Sequence, residues 1–335
     1  MKGLVRFAVN WRNWPPFLLV SLFVFVALAA PLLAPPEDPN HPSDARIVEG
    51  YTDPAPAPPD ENVVLGTVAY YSLGALGDAN MLHFDVFYSL VWGTRSILRF
   101  GLITAFGAAT IGVLMGAVSS YVGGALDALL MRVTDAFLAF PVIAGVWLFQ
   151  TLMQTAGMRL TDYTNFSWVT VPETWFQRWV SAWDIDPVML ALIAFSWMAY
   201  ARIINVNISV LKQTEYVAAA RSLGAGNLRI IFRHLVPNAI APIIVLLARD
   251  VGGMVVQQAA FAFIGVSGTV NSTAIPEWSR LLMLGRNWVI GQWGNPFVHW
   301  WVYIPVTLAL ILFGVGWNML GDRLNVLLNP REVVK

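Results

Sequence analysis

Charged side chains are scarce in this sequence, so each one raises a chemical question. Two groups stand out. Between residues 215 and 238, Glu215 is followed by Arg221, Arg229 and Arg233. Beyond Pro237, Arg249 and Asp250 sit next to each other inside an otherwise apolar run. The first group offers positive charge for steering and pairing with a partner. The second places charge where a membrane core would make it costly, so these residues should face a cavity or a partner. Neighbours on a helix point about 100° apart, so Arg249 and Asp250 should not pair with each other. Helical spacing puts Asp250, Met254 and Gln257 on one face. Arg249, Gly253 and Val256 fall on a neighbouring one. The Asp250/Gln257 face either lines a watery pathway or makes a polar contact between helices.

Other chemistries find no support. No Gly-Lys pair occurs, so the chain cannot cradle ATP in a phosphate loop. There is no cysteine, hence no disulfide or thiolate chemistry. His41, His83, His234 and His299 are scattered, with no metal-ligand spacing among them. No nucleophile–base set is visible, so no catalytic residue is assigned. Net charge is zero, which gives no argument for nucleic acid.

The elements that must carry these residues follow from composition. The chain is 57% hydrophobic and 12% charged, whereas soluble domains carry about 25% charge. About 20 apolar residues span a bilayer core as a helix. Six runs meet that length: 15–34, 97–121, 136–155, 188–210, 239–266 and 301–320. The first has a basic start and small residues near its end, as a signal peptide does, but its length suits an uncleaved helix. Basic residues favour cytoplasmic loops. Lys2, Arg6, Arg12, Arg132, Lys212, Arg221, Arg229, Arg233, Arg323, Arg331 and Lys335 all fall inside if both termini are cytoplasmic. The expected fold is an all-α polytopic membrane protein of six spans.

Residues 35–94 are acidic and proline-rich and read as an extended outer coil. In the loop before the fourth span, Trp175, Trp179 and Trp183 repeat every four residues after Pro172-Glu173. That stripe predicts a short helix lying at the lipid headgroups or presenting a docking surface. Gly112 and Gly116 form a G-x-x-x-G pair that permits close helix contact.

Residues 215–238 read as a helix, a glycine break and a second helix. Thr214 or Gln213 opens the first, and Ala218, Ala219 and Ala220 are strong helix formers. Gly224 falls where a left-handed cap belongs. Asn227 is a good N-cap for the second helix. Leu228, Ile231, Phe232 and Leu235 give it an apolar face, and Pro237 should end it. The partner of this knob is either a protein, approaching over the small alanine surface, or anionic lipid.

The segment resembles the EAA loop of ABC importer permeases. That pattern is Glu-Ala-Ala, three residues, Gly, then nine residues before Ile-x-Leu-Pro. Ala218-Ala219-Ala220, Gly224 and His234-Leu235-Val236-Pro237 match it in spacing. Ala218 replaces the motif Glu, His234 replaces Ile and Val236 replaces Leu; Glu215 lies one turn earlier. The stretches Tyr121 to Asp127, Met131 to Asp135 and Ala139-Phe140-Pro141 are similar to the dipeptide/oligopeptide branch. So are Asp85-Val-Phe, Gly93-Thr-Arg95, Pro276-Glu277-Trp278 and the tail Leu320-Gly321-Asp322 to Asn329-Pro330-Arg331. Within that branch the chain resembles the second, C-type permease subunit. It departs at Val68, where an aspartate is expected, and by an insertion before Asp85.

The resemblance implies a type I importer permease fold in a bacterial or archaeal cytoplasmic membrane. It implies a second permease subunit, two ATPase subunits that hold ATP and Mg, and an extracytoplasmic substrate-binding protein. The chain itself would bind no cofactor. The ATPase-coupling residues would be Glu215, Ala218, Ala219, Ala220, Arg221, Gly224 and Pro237. Arg249, Asp250, Met254 and Gln257 are the pathway candidates. The expected organisation is an N-terminus and first span over 1–34, an outer loop over 35–94, a permease core over 95–322 with a coupling loop at 211–238, and a tail over 323–335. Peptides are the expected cargo, with oligosaccharides or nickel as alternatives from the same branch. A self-contained secondary transporter or a lipid-bound scaffold are readings of other classes.

Overall fold

The computed structural model describes residues 14–36, 45–51, 53–73, 79–154, 159–162, 167–170, 172–183, 185–266, 277–289 and 295–328. Among the described residues, five helices are long and apolar enough to cross a membrane, and a sixth crossing exists if one sharply bent pair counts as a span. The first is α1 (Trp14–Leu33), with 20 residues and a mean hydropathy of 2.5.

Residues 45–85 correct the expectation of an extended coil. Strands β1 (Ile47–Val48), β2 (Thr67–Leu73) and β3 (Ala79–Asp85) form an antiparallel sheet in the order β1-β3-β2. The register pairs Thr67 with Asp85 and Leu73 with Ala79. Both longer strands are rich in residues that suit a pleated surface, such as Val68, Tyr70, Tyr71 and Phe84. A buried polar staple holds the sheet to the proline-rich run. The Thr67 hydroxyl accepts from Ala57 N at 2.9 Å and lies 2.9 Å from His83 Nδ1, while His83 Nε2 reaches Asp53 O at 2.9 Å. Proline density alone therefore misled: the run is extended, but it is bonded to a sheet.

Helix α2 (Val86–Val122) starts well before residue 97, where its apolar run becomes continuous. The Asp85 carboxylate accepts from Tyr88 N at 3.1 Å, so it caps the first turn. At 37 residues the helix is roughly 55 Å long, more than a bilayer core needs.

The expected third span, 136–155, is broken. Helices α3 (Gly124–Ala139) and α4 (Val142–Gln154) meet at 86° around Phe140-Pro141. A proline disfavours helical backbone in the residue before it, and Phe140 is extended at φ −80°, ψ 129°. Thr155 lies outside the described residues. Strands β4 (Arg159–Asp162) and β5 (Ser167–Thr170) pair antiparallel and precede α5 (Trp175–Ala182). Thr174 and Gln177 form a reciprocal cap at the start of α5. Helices α6 (Pro187–Ser196) and α7 (Met198–Leu211) together have the length of one span. The Asp186 carboxylate accepts from Val188 N at 2.8 Å and caps α6.

The chain divides into two compact units. One contains the described residues within 102–251 and 318–328. Its core joins Ala108, Ala109 and Ala117 of α2 to Tyr200, Ala201, Ile204 and Ile208 of α7. Gly112 and Gly116 make this approach possible. A methyl at Gly112 would lie 2.5 Å from Tyr200 Cβ, and one at Gly116 would overlap Ala201 O and Ile204. The G-x-x-x-G pair is thus a backbone-to-backbone crossing.

The other unit contains the described residues within 14–101 and 252–317. Phe23, Trp278 and Phe313 pack edge to face at its centre. The Trp278 indole donates to Leu90 O at 2.9 Å, and the Trp92 indole donates to Ala34 O at 2.9 Å.

Candidate functional site

The knob folds much as local chemistry dictates. Helix α8 (Glu215–Ser222) has Glu215 in its first turn and Arg221 in its last, both favourable to the helix dipole. Thr214 is extended and occupies the N-cap position. Its hydroxyl donates back to Leu211 O at 2.5 Å and does not cap. Gly224 has φ +80°. Its N–H donates to Arg221 O at 3.0 Å, and Ala225 N–H donates to Ala220 O at 3.1 Å. These two bonds are a Schellman cap, which only a residue tolerant of positive φ can close.

The second half differs from expectation in three ways. Gly226, not Asn227, is the N-cap of α9 (Asn227–Ile230). Pro237 does not end the helix. The chain continues through a π turn at Ile231–Leu235 into α10 (Val236–Ala239), and the break falls at Ile240, before α11 (Ala241–Phe263). Pro237 stands in the first turn of α10, where its missing N–H costs little. The wide turn before it accommodates the ring that would strike the carbonyl four residues back.

The third difference follows from that turn. The inward face is Ile230, Ile231, Leu235 and Ala239, packed with Val217 into the core around Ile204 and Ile208. Leu228 and Phe232, expected on the same face, point outward.

The open surface of the knob is therefore both apolar and basic. Leu223 is 88% exposed and Leu228 69%. Phe232 and Tyr216 are also open, as are Glu215, Ala218, Ala219, Arg221, Arg229 and Arg233. Burying one such leucine contributes about 1.5–3 kcal/mol, so exposure on this scale fits a surface that a partner covers.

Polar side chains tie the knob's supports together. Asn205 of α7 donates to Ser119 Oγ at 2.8 Å and to Asp127 Oδ1 at 2.6 Å. Lys212 Nζ donates to Ser120 O at 2.6 Å, and Ser120 and Ser209 share a hydroxyl bond at 2.8 Å. Arg202 pairs with Asp135 across 2.5 Å. Sequence reasoning missed Ser119, Asn205 and Lys212. The available signal was polar residues punctuating apolar runs.

The pathway candidates separate. Helix α12 (Trp278–Val289) precedes α13 (Trp300–Leu328), and Arg249 forms an ion pair with Asp322 at the far end of α13. Gly321 makes room for it, since a methyl there would lie 2.6 Å from Arg249 Cγ. Asp250 accepts from the Tyr200 hydroxyl at 2.6 Å. As spacing predicts, Arg249 and Asp250 have different partners. Met254 is buried, whereas Gln257 is exposed. A methyl on Gly252 would lie 2.9 Å from Trp317 Cβ, and α11 runs unbroken through this position. Among the described residues no cluster of three or more metal-ligating side chains occurs.

Trp175 and Trp179 of α5 and Trp183 just beyond it are all exposed, while Phe176 turns inward against Phe149. Gln177 Nε2 donates to Leu152 O at 2.7 Å, fastening α5 to the end of α4.

Residues 108–334 match the family model described as binding-protein-dependent transport system inner membrane component. The dipeptide transport system permease protein of Alkalihalophilus pseudofirmus is 25% identical over 94% of this chain and 84% of its own length. The glutathione transport system permease protein of Pectobacterium atrosepticum is 28% identical over 74% of this chain and 69% of its own. A probable D,D-dipeptide transport system permease protein of Escherichia coli K12 is 28% identical over 74% and 70%.

Proposed function

The chain belongs to the family of binding-protein-dependent transport system inner membrane components, and from that premise we propose that it is one of two permease subunits of a peptide importer. The observation that carries the mechanism is the knob. Its inner face is locked into the core of α2 and α7, and its outer face offers Leu223, Leu228 and Phe232 among arginines. An ATPase subunit with an apolar groove and an acidic rim fits that surface. Closing of two such subunits on ATP and Mg pushes the knob, and the buried face passes the push to the spans. Glu215, Ala218, Ala219, Ala220, Arg221, Gly224 and Pro237 make up or shape this joint. Relatives named for dipeptide, D,D-dipeptide and glutathione transport support a peptide cargo.

The basic residues around the knob and at both ends favour six crossings with both termini in the cytoplasm. The sheet over 45–85 then lies outside, where a binding protein delivers cargo.

Purification of the chain from membranes that express its full transport system tests the docking reading. ATPase subunits should remain bound to the wild-type chain and be lost with Ala219→Asp plus Leu228→Asp. Equal retention by both would overturn it.

We propose further that Asp250 and Gln257 mark the wall of the cargo pathway, with the Tyr200 bond holding Asp250 in place. Asp250→Asn should assemble normally yet import more slowly. Wild-type uptake by that variant would leave Asp250 a purely structural contact.

A further inference from the structure

Tyr121 touches both halves of the knob. It lies at the end of α2, in sequence far from the residues it meets. Its hydroxyl donates to Asn227 Oδ1 at 2.8 Å across a separation of 106 residues. The Arg221 guanidinium carbon stands 6.0 Å from its ring centroid, at the outer limit of a cation–π contact. Arg221 belongs to α8 and Asn227 to α9, so the two contacts fall on either side of Gly224.

We infer that Tyr121 is a positioning residue, a strut that fixes the angle between α8 and α9 and makes the end of α2 move with the knob. The reading rests on the knob being the ATPase joint.

Three observations support it. First, the glycine break itself is open: a methyl on Gly224 would meet nothing within 4 Å. The Schellman bonds close the cap and Ala225 packs inward against the core, and Tyr121 supplies the side-chain contacts that span the break. Second, Asn227 is free to accept the hydroxyl because Gly226 holds the N-cap position. The residue that sequence logic makes a cap is spent on a tertiary contact. Third, the base of the strut is itself anchored. Ser120 is bonded to Ser209 and Lys212, and Ser119 to Asn205.

The chain of contacts thus runs from both halves of the knob through Tyr121 to α2, and from α2 to α7. The backbone alone joins the knob only to α7 and α11. The buried face of the knob already packs against α2 and α7; Tyr121 adds contacts from α2 to each side of the glycine break, which ties the angle between α8 and α9 to that helix.

The absence of native cysteine makes a direct test practical. Val118→Cys on α2 and Ser222→Cys at the end of α8 are both exposed sites for nitroxide labels. The labelled chain is assembled with its ATPase subunits in nanodiscs, and the distance distribution is read with and without ATP plus vanadate. Hydrolysis is read with and without the cognate binding protein as purified with its cargo.

With Tyr121 intact, the 118–222 distribution should be the same in both nucleotide states. Tyr121→Phe keeps the ring and loses the hydroxyl. It should retain its ATPase subunits, broaden the distribution, and lower the ratio of stimulated to unstimulated hydrolysis by roughly 3- to 10-fold, about one hydrogen bond. Asn227→Ala should do the same, and the double variant should add nothing to either single one. A distance that shifts between states with Tyr121 intact, or an unchanged hydrolysis ratio in Tyr121→Phe, overturns the strut. Loss of the ATPase subunits from Tyr121→Phe would make the residue merely structural and overturn it too. If the chain with Tyr121 intact retains no ATPase, the joint itself is wrong and the strut falls with it. Retained ATPase with an indifferent Tyr121→Phe removes the strut alone.

Discussion

Gly224 concentrates much of the mechanism in one residue. Its φ of +80° lies in the left-handed region, where a side chain costs about 1–2 kcal/mol and a β-branched one more. No neighbour would touch an added methyl, so the cost of substitution is backbone strain and nothing else. That separates two substitutions of similar bulk. Gly224→Asn should retain most uptake, because asparagine tolerates this backbone. Gly224→Val should uncouple ATP hydrolysis from uptake. Equal behaviour of the two variants in a reconstituted transport assay would show that backbone conformation at 224 does not matter. Ala218 is the other telling residue. It stands where the family motif carries Glu, and it is exposed. Glu215, also exposed and one turn earlier, is the acid nearest to replacing it.

The element scale shows why part of the architecture was legible in sequence and part was not. Apolar length alone locates α1, α6–α7, α11 and α13. Gly224 as a left-handed cap was readable because one residue type dominates that position. The start of α2 was missed because the Asp85 cap precedes amphipathic residues, which a search for continuous apolar runs passes over. The bend at Phe140-Pro141 was hidden because the sequence on either side is equally apolar; only the rule for residues before proline signals it. The sheet over 45–85 depends on His83 meeting Thr67 and Asp53, pairings that no local pattern encodes. The π turn at 231–235 shifts the inward face of the knob, so an ideal helical wheel assigned Leu228 and Phe232 to the wrong side. The crossing of α2 and α7 gives the sharpest prediction at this scale. Gly116→Leu must push Ala201 and Ile204 apart, at a cost well above the ~1–3 kcal/mol typical of overpacking because backbone atoms are struck. The variant should fail to accumulate as folded protein in detergent, judged by size-exclusion chromatography, whereas Gly107→Ala meets only the Ile193 side chain and should be tolerated. Equal yields would show that the close approach is not required.

At the scale of the whole molecule, the chain is a membrane component that supplies no phosphate loop of its own. A knob with an open apolar and basic face is where a partner's energy would enter. The organisation in sequence and in space differ. The knob, the α2–α7 crossing, Asp250 with Tyr200, and Arg249 with Asp322 all belong to one compact unit. The outer sheet and the Phe23–Trp278–Phe313 cluster belong to the other. The parts assigned to coupling are thus held in one core, although residues from Ser119 to Asp322 contribute to it. The most direct test of the account is uptake of peptide cargo into proteoliposomes. With the second permease subunit, the ATPase subunits, the binding protein and ATP all present, cargo should accumulate, and omission of any one should abolish it. Accumulation by this chain alone, without ATPase subunits or ATP, would contradict the account.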